Sequence, residues 1–135
     1  QLARVEESLL RRIEIWEQYD RAFAGLPIRT PGPITDGSRH ARHLYTILIG
    51  EDAGLSRDQA LTALHAEGVG AGVHYLPING YTFYRKTLGV GPGDFPNAES
   101  IGARTISLPL SPGMSAQDVD DVTEAVWRIL SWRAW

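Results

Sequence analysis

Cysteine is absent from the 135 residues, which removes disulfides, thiol nucleophiles and cysteine-held metals and fits a reducing compartment. Lysine is almost absent: Lys86 is the one lysine among 13 basic residues, so chemistry that needs a lysine amine has one candidate here. No run approaches the roughly 18 apolar residues of a membrane span, and the amino-terminal pattern is charged and helical, unlike a signal peptide. A large excess of charge of one sign is also lacking. A net charge of -3 gives no electrostatic footprint for nucleic acid or an anionic membrane, and the expected location is the cytoplasm. What is present, 43% hydrophobic and 21% charged residues, suits one ordinary globular domain. The chain opens at Gln1 directly into an amphipathic pattern, as expected of a piece of something longer.

Leu2, Val5, Leu9, Ile13, Trp16 and Phe23 recur at spacings of three and four and predict a long helix over 1–24, with Gly25 as its cap. Three prolines and two glycines between Pro27 and Gly37 predict an extended loop. His43 to Ile49 alternates and is rich in β-formers, so a strand is expected there. Ser56 with Gln59 has the form of a capping box opening a helix to about Glu67, with Leu61 and Leu64 inward. Val69 to Tyr75 predicts a second strand, ended by Pro77. Residues 79–97 promise only a helical turn near Phe83 to Lys86 and hold the expected functional segment. A short helix capped by Asn97 and running to Arg104, a third strand over Thr105 to Leu108 and a turn over Pro109 to Gly113 follow. Ser115 with Asp118 then opens a last helix whose inward face is Val119, Val122, Val126 and Ile129. This order predicts an α+β fold: a small antiparallel or mixed sheet of about three strands with helices packed on one face.

Several patterns carry little chemistry. His40 and His43 are three apart but lie before and inside a strand, where such residues face opposite ways, so no metal site is expected. The runs Gly68, Gly70, Gly72 and Gly89, Gly91, Gly93 lack the sixth-position glycine of a dinucleotide loop and the Lys-Ser/Thr of a P-loop, and read as turn glycines. There is no G-x-S-x-G, and the adjacent acids Glu6, Glu7 and Asp120, Asp121 point to different sides of their helices. His74, Tyr75 and Asn79 are different. An imidazole, a phenol and a carboxamide fall within six residues where a strand runs into an irregular loop, a place from which polar groups are aimed into clefts. Composition alone leaves a satisfied histidine and an interface tyrosine equally open.

At this segment the chain resembles the C-terminal part of the DegT/DnrJ/EryC1/StrS sugar aminotransferases, pyridoxal phosphate (PLP) enzymes of fold type I. The resemblance runs through Gln1-Leu2, Arg11-Arg12, Tyr19-Asp20, His43-Leu44-Tyr45 and the stretch from Gly68 to Ile78 containing Val73-His74-Tyr75-Leu76-Pro77. It continues in Tyr84-Arg85, Gly93-Asp94-Phe95-Pro96-Asn97-Ala98-Glu99 and Ser107-Leu108-Pro109-Leu110-Ser111-Pro112-Gly113-Met114.

The resemblance implies that residues 1–135 are the small domain, entered by a linking helix over 1–24, of a homodimeric enzyme that transfers an amino group, typically from glutamate, to the keto-sugar of a nucleotide sugar. PLP chemistry needs a lysine that bonds the cofactor and an acid for its ring nitrogen. In the family both belong to the large domain, so the resemblance implies no catalytic, cofactor-binding or metal residue in this chain, no PLP held by it alone and no transamination by it. Lys86, following Tyr84-Arg85, is not at the cofactor position. The substrate-binding residues implied are His74, which faces the sugar in the family, Tyr75 as a neighbour offering ring and hydroxyl, and Asn79. Many members carry histidine where Asn79 stands, which puts the sugar's identity in question. Two other readings remain open at this point: a dehydratase of the same family, in which histidine replaces the lysine, and a non-enzymatic ligand-binding or dimerising module. Trp127, Trp132 and Trp135 are candidate interface residues, although packing on the first helix accounts for Trp127 as well.

Overall fold

The computed structural model describes residues 2–131; Gln1, Trp132 and Trp135 lie outside them. A short 3-10 turn, Leu2–Arg4, leads into helix α1, Val5–Ala22. Leu9, Ile15, Trp16, Tyr19 and the capping Phe23 are buried, whereas Leu2 is 88% exposed and Ile13 only half-buried. The inward stripe is thus turned from the one expected, because three aromatic rings of this helix end converge on the sheet. Trp16, Tyr19 and Phe23 stand 4.8, 5.0 and 6.1 Å from the ring of Tyr45.

The sheet is antiparallel with order β1-β2-β3: β1 is Ile28–Arg29, β2 is Tyr45–Ile49 and β3 is Thr105–Leu108. Register puts Tyr45 opposite Leu108 and Ile47 opposite Ile106, so these residues share one face. That face meets α1, α2 (Arg57–Ala66) and α5 (Ala116–Leu130) in a single core including Ala60, Leu64, Val119, Val122 and Val126. Thr46, Leu48, Thr105 and Ser107 occupy the other face.

The three-stranded α+β architecture is as expected, but one strand is not where the sequence put it. Val69 to Tyr75 is no strand. Its one ladder-like contact is a bridge in which Gly72 and Ser107 exchange both backbone hydrogen bonds, at 3.0 and 2.7 Å. Around it the backbone groups are otherwise engaged: the Ala71 amide bonds the Val69 carbonyl at 2.8 Å, and the Ala71 carbonyl is taken by Nε2 of His65 at 2.8 Å. The third strand is instead β1, inside the Pro-rich loop, which lies at the sheet edge where prolines are tolerated.

Both capping boxes form. Ser56 and Gln59 open α2, and Ser115 and Asp118 open α5. The segment expected to hold one helical turn contains a 3-10 turn, Ile78–Gly80, and a seven-residue helix α3, Thr82–Leu88, closed by Gly89 at φ +67°. Helix α4, Pro96–Arg104, starts one residue before the expected Asn97 cap. Phe95 is its N-cap and Pro96, with φ preset, takes the first turn.

Candidate functional site

The site is built on the Gly72–Ser107 bridge. It ties the irregular segment after α2 to β3, and two residues later the chain presents His74. The His74 ring lies over Gly72: a β-carbon built there would stand a tight 3.2 Å from Cε1 and in ordinary contact with both ring nitrogens, at 3.9 and 4.0 Å. Tyr75 follows with its ring edge-on to the imidazole at 5.0 Å and 74% exposed; the peptide joining the two is cis. His74 and Tyr75 are therefore brought together on an open surface.

Asn79 is not with them. It is 5% exposed, and its amide donates to the Gly91 carbonyl at 3.2 Å and to Oε1 of Glu99 at 2.5 Å. Glu99 also receives the Gly93 amide on both oxygens, at 2.9 and 3.0 Å. This clamp fixes the 91–94 turn to α4, and Asp94 adds a bond from the Gly91 amide at 2.7 Å. Sequence reading missed Glu99 as its centre. A glutamate in the first turn of a helix carries no mark of which distant amides it will accept.

Tyr75, Leu76, Ile78, Phe83, Leu88 and Phe95, in the chain that follows His74, are all exposed. Helix α3 buries none of its residues, and Lys86 stands on it in the open. A shallow depression there is lined by Thr82, Arg85, Lys86 and Val90, with no carboxylate. That depression offers no acidic partner of the kind a PLP ring nitrogen requires. His40 is engaged locally, accepting from the Arg42 amide at 3.1 Å and packing on Trp16. Trp127 donates to the Ala22 carbonyl at 2.6 Å, which fastens the end of α1 to α5. A wide groove of about 1260 Å³, lined by Leu26, Pro27, Leu55, Trp127 and Leu130 among others, contains none of His74, Tyr75 and Asn79.

Two tyrosines of the motifs that carry the resemblance, Tyr19 and Tyr45, meet in the core. Tyr45 donates to Asp20 at 2.6 Å and Tyr19 to the Pro109 carbonyl at 2.8 Å. Burial, and for Tyr45 also the adjacent Asp20 carboxylate, push both phenols well above the ordinary tyrosine range. These motif positions hold the fold.

The model of the DegT/DnrJ/EryC1/StrS aminotransferase family matches residues 1–127. The chain belongs to this family. It is 43% identical over 128 residues to the spore coat polysaccharide biosynthesis protein SpsC of Bacillus subtilis, covering 93% of this chain and 33% of SpsC. Among solved structures it is similar to Streptococcus pneumoniae Spr1654, described as a sugar aminotransferase and determined in apo, PMP and PLP forms, with TM-score 0.87 and 31% identity over 97% of this chain and 33% of that one. Helicobacter pylori PseC, an aminotransferase involved in the biosynthesis of pseudoaminic acid, matches with TM-score 0.86 and 27% identity over 97% and 35%. The chain thus spans about a third of the length of these relatives and shares the fold of that third of the two solved structures. No helix among the described residues is long and apolar enough to cross a membrane.

Proposed function

We propose that this chain is the C-terminal small domain of a cytoplasmic, homodimeric PLP-dependent aminotransferase that moves an amino group from glutamate to a keto-sugar carried on a nucleotide. In this reading the remaining two thirds supply the lysine and the acid that PLP requires, and PLP serves there as the electron sink. This chain contributes a wall of the sugar cleft. His74 offers a hydrogen bond to the sugar or its diphosphate, Tyr75 offers ring surface and a hydroxyl, and Asn79 acts from behind by holding the loop that carries them. The domain alone neither holds PLP nor transaminates.

The observation that carries the reading is the juxtaposition of two exposed polar aromatic side chains, on a backbone pinned to β3, with an uncovered apolar stretch, in a family member spanning a third of its relatives. A seven-residue helix with no buried residue is marginal in water, and covering by the rest of the protein accounts for it.

The test uses the longer protein containing this chain. Amine transfer from glutamate to a nucleotide-linked keto-sugar is expected, and His74→Ala is expected to raise KM for the sugar about ten-fold, the worth of one hydrogen bond, while the PLP absorbance persists. Loss of PLP from His74→Ala overturns the division of roles. Sugar dehydration without amine transfer, with histidine at the lysine position, assigns the dehydratase reading instead.

A further inference from the structure

Among the described residues, one buried side-chain polar atom has no hydrogen-bond partner: Oγ of Ser107. The residue is 3% exposed. A buried hydroxyl without a partner loses its hydration for nothing in return, so its persistence on β3 calls for a reason. Ser107 has two cross-strand neighbours, Thr46 on β2 and Gly72 on the bridging segment. Because Gly72 and Ser107 exchange both backbone hydrogen bonds, they form a directly opposed pair whose side-chain directions lie on the same face. Gly72 has no side chain to place there. The His74 imidazole packs against the place its β-carbon would take, with Cε1 and the two ring nitrogens between 3.2 and 4.0 Å from that point. The ring therefore stands on the face to which the Ser107 hydroxyl is directed.

We propose that the Gly72–Ser107 pair is the seat of the His74 imidazole. The missing side chain of Gly72 admits the ring, and the Ser107 hydroxyl, by rotation about one bond, hydrogen-bonds a ring nitrogen and fixes the tautomer that His74 presents to solvent. Ser107 is then a positioning residue: it acts on substrate only through His74. That functional consequence rests on the reading of His74 as sugar-facing, whereas the seat itself does not. The hydroxyl can donate to an unprotonated nitrogen or accept from a protonated one, and either choice sets which nitrogen remains for a ligand. An exposed imidazole with nothing behind it exchanges freely between tautomers. One held on its inner edge offers a ligand a single, preset donor or acceptor.

The experiment is a long-range proton–nitrogen spectrum of the 135-residue chain, which reports the tautomer of each histidine, with exposed His43 as internal reference. In the wild-type chain His74 is expected to populate one tautomer and His43 the mixture of a free imidazole. Ser107→Ala is expected to return His74 to that mixture with the backbone amide spectrum otherwise intact, and Gly72→Ala to displace the His74 ring resonances by crowding Cε1. A free mixture at His74 in the wild-type chain overturns the seat and needs no variant to fold. So does Ser107→Ala with unchanged His74 resonances, most directly if its Tm rises as the removal of an unused buried hydroxyl would make it. In the longer enzyme, Ser107→Ala is expected to raise KM for the sugar about three-fold with PLP retained. A fixed His74 tautomer together with no KM change on His74→Ala supports the seat and overturns the sugar-facing reading separately.

Discussion

Glycine at 102 shows how one residue sets a packing distance. A β-carbon there would stand 2.5 Å from Cδ of Pro77 and 3.2 Å from Cγ, and a proline ring in mid-chain cannot swing aside. Gly102→Ala is expected to cost about 1–3 kcal/mol, the ordinary range of overpacking, measurable as a lower urea midpoint. Asp118 carries a charge-dependent contribution. Its carboxylate accepts the Ser115 amide at 2.7 Å and the Ser115 hydroxyl at 2.8 Å, which hold its pKa below the ordinary 3.8. Since the folded state favours the ionised form, the stabilisation is full above that ordinary value and is lost as pH falls through the depressed one. Asp118→Asn should therefore flatten the acid limb of stability as pH falls below the ordinary aspartate value, read in urea unfolding. The phenols of Tyr19 and Tyr45 act at the other end: their raised values favour the neutral form in the fold, so their contribution is full below the ordinary tyrosine range and is lost as pH rises through the folded values.

Elements differ in how much local sequence they need. Helices α2 and α5 announce themselves, because Ser56 with Gln59 and Ser115 with Asp118 satisfy amides within three residues of each other and no distant partner is required. Ser56→Ala is expected to lower stability by about 1 kcal/mol in chemical denaturation. The strand β1 and the bridge at Gly72 needed distant partners. Ile28 has a strand only because Ile49 lies opposite, and Val69 to Tyr75 reads as a strand by composition until His65 takes the Ala71 carbonyl. Helix α3 is a third case, formed but uncovered. Its amides are expected to exchange with solvent deuterium near the unprotected rate in this chain and to become protected at least ten-fold in the longer protein, as local stability follows burial.

At the scale of the whole molecule, one side of the sheet is saturated and the 75–95 region is not. The core joins α1, α2, α5 and the inward sheet face around Tyr45, Ile47 and Ile106, while aromatic and aliphatic side chains from Tyr75 to Phe95 remain in solvent. Under the proposed function these side chains are the ones the rest of the protein covers. Incubation of the chain with PLP followed by borohydride reduction is expected to give no stoichiometric adduct in the intact mass. An adduct confined to Lys86 would instead place cofactor chemistry on α3, against the absence of any carboxylate in the depression around it.

What the sequence determined by itself is whatever rests on contacts within a few residues or on a repeating pattern: the class of fold, two capped helices, the inward valines of α5, the strand over Tyr45 to Ile49 and the family motifs around His74. The tertiary structure alone decided which third strand completes the sheet, that Asn79 turns inward to Glu99, and that the Ser107 hydroxyl and the His74 ring share one face. Each of those depends on backbone or side-chain groups brought from distant positions. Hydrogen bonds and steric vacancies of that kind leave no periodic trace along the chain, and only folding makes them neighbours.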